Sequence, residues 1–220
     1  MAEIGIYEAM STLRAVRKLR PDPIPDAVLR RVLEAATYAP TGGNRQPWRI
    51  IAVKDGALKQ RLGALYAERW GNFAKYYRKM TAAIADKAMR RRTERTIDAG
   101  DYLAAHFGAT PVIAIFCFNP QEMAVTDAKL GRVSVVGGAS VYPAVENLLL
   151  ACRAEGLGCV LTTLLCECEP QTRELLSIPE PWGTAAAIPI GYPVGRGHGP
   201  LIRRGAGELT FVDKWGKALA

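Results

Sequence analysis

The chain has 220 residues, enough for one domain with a full-sized core, and 49% of them are hydrophobic against 23% charged, which excludes a disordered chain. Lysine and arginine number 29 against 21 acids, a formal charge of +8 that leaves nucleic acid, a membrane surface and small anionic ligands as partners to be told apart. Five cysteines are an odd number without a secretory opening at Met1-Ala2-Glu3, and the two histidines, His106 and His198, lie far apart, so neither a disulfide framework nor a zinc site is expected.

No run of 18 apolar residues occurs, and the expectation is a soluble, cytoplasmic protein with no membrane contact. The basic residues cluster at Arg14 to Arg20, Arg90 to Arg95 and Arg203-Arg204 without aromatic interleaving, which disfavours nucleic acid. A G-x-G-x-x-G fingerprint is missing, which disfavours a Rossmann enzyme.

In chain order, the spacing predicts a first helix from about Tyr7 to Lys18, closed by Pro21, with Arg14 and Arg17 three apart on one face. Paired guanidinium forks suit phosphate oxygens, although a basic last turn also complements the helix dipole and need do nothing more. A second helix, capped by Asp26, runs from about Ala27 to Tyr38. The stretch from Ala39 to Trp48 then reads as a helix-to-strand loop, fixed by Pro40 and Pro47 and given access to positive φ by Gly42 and Gly43. Its amides, with Thr41, Asn44 and Gln46, could approach a planar ligand; an ordinary connection would read the same way.

Trp48 to Val53 reads as a strand, and a helix starts near Ala57. Residues 66–107 form a long helical excursion rich in charge and aromatics, among them Tyr66, Trp70, Phe73, Tyr76, Tyr77 and Tyr102, which fit either core packing or a lid. Thr110 to Phe118 reads as a strand buried on both faces, with Cys117 a small core residue. After Gly137-Gly138, whose small size permits close packing, Val141 to Ala154 predicts a buried helix ended by Gly156. Cys159 to Leu165 reads as a strand, Pro170 to Ile178 as a short helix, and Thr184 to Tyr192 as a last strand before a tail carrying Phe211, Val212 and Trp215.

The run Pro40-Thr41-Gly42-Gly43-Asn44-Arg45-Gln46-Pro47-Trp48 before a strand resembles the loop of the nitroreductase family of FMN flavoproteins, the fold that also houses iodotyrosine deiodinase. Three further places resemble the family in family order. Arg14 and Arg17 match two basic positions of an Arg-Arg-Ser-x-Arg run, where Leu13 replaces the first arginine and Ala15 the serine. Gly156-Leu157-Gly158 leading to Leu161-Thr162-Thr163 resembles the strand that ends beneath the flavin. Gly191-Tyr192-Pro193 is followed by Arg203-Arg204, with Gly205 where proline is common.

The resemblance implies an α+β fold over residues 1–220: one domain, a central, mainly antiparallel sheet flanked by helices, and a lid at about 66–107. It implies an intertwined homodimer with FMN at the subunit interface. Arg14, Ala15, Arg17, Arg203 and Arg204 would hold the phosphate and ribityl chain; Pro40, Thr41, Gly42, Asn44 and Gln46 would reach the cofactor from the partner; Leu161, Thr162 and Thr163 would meet the ring edge. No metal is implied. The activity implied is ping-pong hydride transfer from NAD(P)H to a nitroaromatic, quinone or activated alkene, since flavin chemistry belongs to the cofactor. Arg90 to Arg92 would be a solvated face or a landing place for an anionic donor such as NADPH. Other readings are a same-fold dehydrogenase, dehalogenase or flavin-cleaving enzyme, and a non-catalytic FMN- or nucleic-acid-binding protein.

Overall fold

The computed structural model describes residues 4–219; the opening Met1-Ala2-Glu3 lies outside them. Helix α1 spans Ile6–Thr12 and stops there, because Leu13 turns to extended backbone (φ −62°, ψ 118°). The expected continuation to Lys18 is therefore wrong. Residues 13–20 run extended along the sheet instead: Val16 N–H donates to Cys159 O at 2.9 Å, Ala15 bridges Cys159, and Arg20 N–H donates to Tyr192 O at 2.8 Å. Val16 and Leu19, three apart, mimic a helical stripe in sequence, yet both bury against Gly158, where a Cβ would sit 2.7 Å from Val16 and 2.8 Å from Leu19. An open strand edge offers these amides partners that a free helix end lacks.

Helix α2 (Asp26–Thr37) leads through the glycine loop into β1 (Trp48–Val53). The antiparallel hairpin of α3 (Gly56–Ala82) and α4 (Lys87–His106) follows; Asp55 caps α3 by accepting from Leu58 N–H, and Asp86 caps α4 by accepting from Ala88 and Met89 N–H. Strand β2 (Val112–Phe118), helix α5 (Tyr142–Ala154), the two-residue β3 (Gly158–Cys159), α6 (Glu169–Leu176), β4 (Gly183–Gly191) and the short α7 (Ala206–Leu209) complete the chain.

The sheet order is β1-β2-β4-β3, with every pair antiparallel, so the expected α+β arrangement is what forms. The period of two on β2 sorts the core into two layers. Val112, Ala114 and Phe116 pack with Val32 of α2 and Leu148 of α5; Ile113, Ile115 and Cys117 pack with Leu62 of α3 and Leu103 of α4. The expected strand over Cys159 to Leu165 is much shorter. After Cys159 only Thr162 pairs again, exchanging both backbone bonds with Ala187 (3.0 and 2.8 Å), and a tight turn takes over from Leu164. The Thr162 hydroxyl accepts from Leu164 N–H at 3.4 Å, a local bond that competes with further ladder pairing.

Among the described residues no helix is long and apolar enough to cross a membrane. Large apolar groups are exposed on α1 (Ile6, Tyr7, Met10) and along the tail (Ile202, Leu209, Phe211, Trp215), while the apolar stripe of α5 is consumed inside the subunit.

Candidate functional site

The segment Val160 to Leu164 leaves β4 beneath the α3-α4 hairpin, and the gap between them is a cavity of about 240 Å³. Leu161, Thr162 and Thr163 form one side of it, Tyr66, Trp70, Phe73 and Leu103 the other, and Arg17 enters from the extended segment. Four of the sequence-predicted residues, Arg17, Leu161, Thr162 and Thr163, thus meet because residues 13–20 are extended. Burial raises the Tyr66 hydroxyl above its ordinary value, against a pull down from Thr162 and the Arg17 charge, so Tyr66 stays a neutral donor at neutral pH.

Arg14 points elsewhere. Its Nε (3.2 Å) and Nη2 (2.5 Å) both donate to Pro200 O, and its guanidinium lies against Gly199. Arg203 and Arg204 are exposed, Arg203 Nη1 donates to Ile202 O at 3.0 Å, and neither lines the cavity that Arg17 enters. Ala15 is held by its bridge to Cys159, two residues before Leu161.

The loop at Pro40 to Gln46 is internally braced. Thr41 Oγ1 accepts from Gln46 N–H at 3.0 Å, and Gln46 Nε2 donates to Asn44 Oδ1 at 3.2 Å. Positive φ falls not on Gly42 but on Gly43 (59°), Asn44 (52°) and Gln46 (51°), the last two at a cost of about 1–2 kcal/mol each. Gly42 N–H donates to Ser140 Oγ at 3.1 Å, in front of α5. Within one subunit, then, Pro40, Thr41, Gly42, Asn44 and Gln46 do not line the cavity that Arg17 enters.

A second, largely apolar cavity of about 470 Å³ touches the first at Thr163 and is lined by Phe118, Met123, Val125, Tyr142 and Cys166 among others. Sequence reading did not find Tyr142 or Cys166 here; the only signal was that Cys166 stands one helical turn beyond Thr163. Cysteine chemistry is not what these cavities offer. Burial raises the Cys166 thiol, and burial followed by the Glu169 charge raises Cys117 to about 11, leaving both protonated at neutral pH. No cluster of side chains suited to a metal occurs among the described residues.

His198 anchors the tail that Arg14 holds. It is buried, its Nε2–H donates to Leu157 O at 2.9 Å, and Nδ1 has no partner. Burial lowers its pKa most, the bond to Leu157 O opposes that, and the Arg153 and Arg14 charges add to the lowering. The folded pKa lies below the unfolded value of about 6.5, so the native state binds fewer protons; the stability involved is present above pH 6.5 and is lost as pH falls through the folded value. Melting curves between pH 7.5 and 5 should show a steep acid loss in the wild type and a shallower one in His198→Gln. Equal slopes would show that another group governs acid stability.

Residues 12–192 match the family described as Nitroreductase family. The 5,6-dimethylbenzimidazole synthase of Rhodobacter capsulatus is 31% identical over 221 residues, covering 96% of this chain and 94% of the synthase. Iodotyrosine deiodinase 1 of Rattus norvegicus is 28% identical over 198 residues; the match takes in 90% of this chain but 65% of the deiodinase, so the chain spans less than two thirds of that relative. Among solved structures, an oxidized iodotyrosine deiodinase bound to FMN and 3-iodo-L-tyrosine superposes with a TM-score of 0.67 at 20% identity, covering 97% of this chain and 100% of the other. The NADPH:FMN oxidoreductase of Vibrio harveyi complexed with NAD+ gives a TM-score of 0.67 at 19% identity, covering 96% and 78%. At these identities the two structures speak for the fold.

Proposed function

Since the chain belongs to the nitroreductase family, we propose that it is an FMN-dependent NAD(P)H oxidoreductase that reduces nitroaromatic, quinone or activated-alkene acceptors by ping-pong hydride transfer. The observation that carries this reading is the meeting of Arg17, Thr162 and Thr163 at one aromatic-walled cavity.

That donor set fits FMN. A guanidinium and two hydroxyls beside flat apolar walls match the polar edge of a planar ring. Arg14 commits Nε and Nη2 to Pro200 O, which leaves Nη1 for an anion. Bound FMN supplies hydride acceptance and delivery. The chain's own residues do the rest: Tyr66, Trp70 and Phe73 keep water from the cavity, Arg17 holds positive charge at one edge, and the threonine hydroxyls donate at another.

The proposal includes a homodimer. The outer edge of β1 carries half-buried Ile50, Ile51 and Ala52, and the tail exposes Phe211 and Trp215, the latter 93% exposed. An apolar edge strand and an apolar tail on one chain suit a reciprocal contact between two copies, which would also bring the Pro40 to Gln46 loop of one subunit to the cavity of the other.

The purified protein is expected to be yellow, with about one FMN per subunit, and to bleach under anaerobic titration with NADPH or NADH and recover colour with a nitroaromatic. Oxidised absorbance that persists with both donors counts against the reductase reading. A second reading, a same-fold flavoenzyme of other chemistry, is favoured by the names of the two relatives, a deiodinase and a synthase. Dehalogenation of a halophenol by dithionite-reduced protein that ignores NAD(P)H would select it.

A further inference from the structure

Leu62 and Tyr66 tie the first half of α3 into the core, and half-buried Trp70 is the last α3 side chain packed on that cluster. Beyond it α3 and α4 face each other, at Arg78, Thr81, Glu94 and Ile97. The hairpin therefore projects past the core by the stretch from Gly71 to Ala82, about 18 Å of helix at about 1.5 Å per residue. Its turn, residues 83–86, is the tip. Arg90 braces that turn, since Nε and Nη2 both donate to Ile84 O, at 2.9 and 2.6 Å.

Charge is concentrated on this projection. Residues 75–95 hold eight cations against two acids, six of the chain's eight net positive charges, and leave the remaining residues with 21 cations against 19 acids. Six of the eight, Lys75, Lys79, Lys87, Arg91, Arg92 and Arg95, are exposed and have no ion-pair partner among the described residues. Arg91, Arg92 and Arg95 share the face of α4 turned away from buried Ile97 and Gly100.

The tip itself is apolar. Met80 and Met89 are 51% and 59% exposed, Ala82, Ala83, Ala85 and Ala88 are exposed between them, and Tyr76 is 64% exposed one turn back. Thioethers and alanines on a convex end suit the loosely ordered headgroup-acyl boundary of a bilayer, while lysine and arginine stems reach back to lipid phosphates. A tyrosine at the same depth suits the headgroup level. Nucleic acid would pair with the cations and leave the methionines in water.

We infer that the tip of the α3-α4 hairpin is a peripheral docking surface for anionic phospholipid bilayers, with Met80 and Met89 entering the interface and Lys79, Lys87, Arg91 and Arg92 on headgroup phosphates. The expectation of no membrane contact rested on the lack of an 18-residue apolar run, and a peripheral contact needs none. None of these six residues lines the cavity that Arg17 enters, so the inference stands apart from the oxidoreductase reading.

Cosedimentation of the purified protein with vesicles of phosphatidylcholine, with and without about one third phosphatidylserine, measures it. Binding should be at least about tenfold tighter to the anionic vesicles and should fade at high salt. Each cation near an anionic surface is worth about fivefold in partitioning, so Arg91→Gln with Arg92→Gln should weaken binding about 25-fold. Met80→Ser with Met89→Ser should weaken it about tenfold. Both variants should keep the size-exclusion profile and melting temperature of the wild type. No binding to the anionic vesicles, equal binding to neutral ones, or wild-type binding in the methionine variant would overturn the inference. Tighter binding to duplex DNA or to polyglutamate than to the vesicles would overturn it in favour of nucleic acid or an acidic protein. A changed oligomeric state in either variant would do so by making the tip a subunit contact.

Discussion

Replacing Arg17 by alanine should weaken FMN binding by about 10- to 100-fold, because one hydrogen bond to or from a charged group is worth about 1.5–3 kcal/mol and Arg17 is, among the described residues, the only cation lining the cavity under the hairpin. The effect should be larger than that of Arg14→Ala, since Arg14 already gives two donors to Pro200 O and acts partly by holding the tail. Fluorescence titration of the apoprotein with FMN measures both. An Arg17→Ala protein that binds FMN as the wild type does would remove Arg17 from the cofactor site, and with it the observation on which the function rests. Raising the salt concentration should weaken binding through Arg203 and Arg204 more than through Arg17, because the former are exposed and screened.

The second large effect concerns the tail. A chain ending at Gly205 loses Leu209, Phe211 and Trp215, apolar groups that are 61%, 38% and 93% exposed within one subunit. Groups of this size contribute about 1.5–3 kcal/mol each when buried, so their removal should raise the dimer dissociation constant by at least 100-fold. Light scattering after size exclusion would report a monomer at low micromolar concentration, and FMN content should fall with it, because the Pro40 to Gln46 loop does not line the Arg17 cavity of its own subunit. A truncated protein that remains dimeric and fully flavinated would show that the loop and the tail act separately, or that neither belongs to a subunit contact.

How far the primary structure could be read depended on how local the cause was. The loop from Pro40 to Trp48 was legible because proline and glycine impose backbone limits that neighbours cannot remove, although which residues carry positive φ was not: Asn44 and Gln46 do so under the pull of the Thr41 and Asn44 side chains. The arginines near both ends were legible as anion binders by chemical type. Their placement was misread, since Val16 and Leu19 stand at a helical spacing, yet Val16 N–H donates to Cys159 O and Leu19 bridges Pro193, partners far along the chain. The aromatics of α3 were visible as a group, but the contacts that place Trp70, with Gly100 and Asp101 on another helix, were not.

By itself the sequence determined the α+β class, the double-sided burial of β2 and the motif order that marks the family, all consequences of residue type and short-range spacing. The tertiary structure alone decided that residues 13–20 are extended, that Arg17 rather than Arg14 enters the cavity, and that Trp70 is locked over Gly100. Those outcomes depend on long-range pairing, where a backbone amide takes whichever partner the folded sheet presents, and no local pattern encodes that choice.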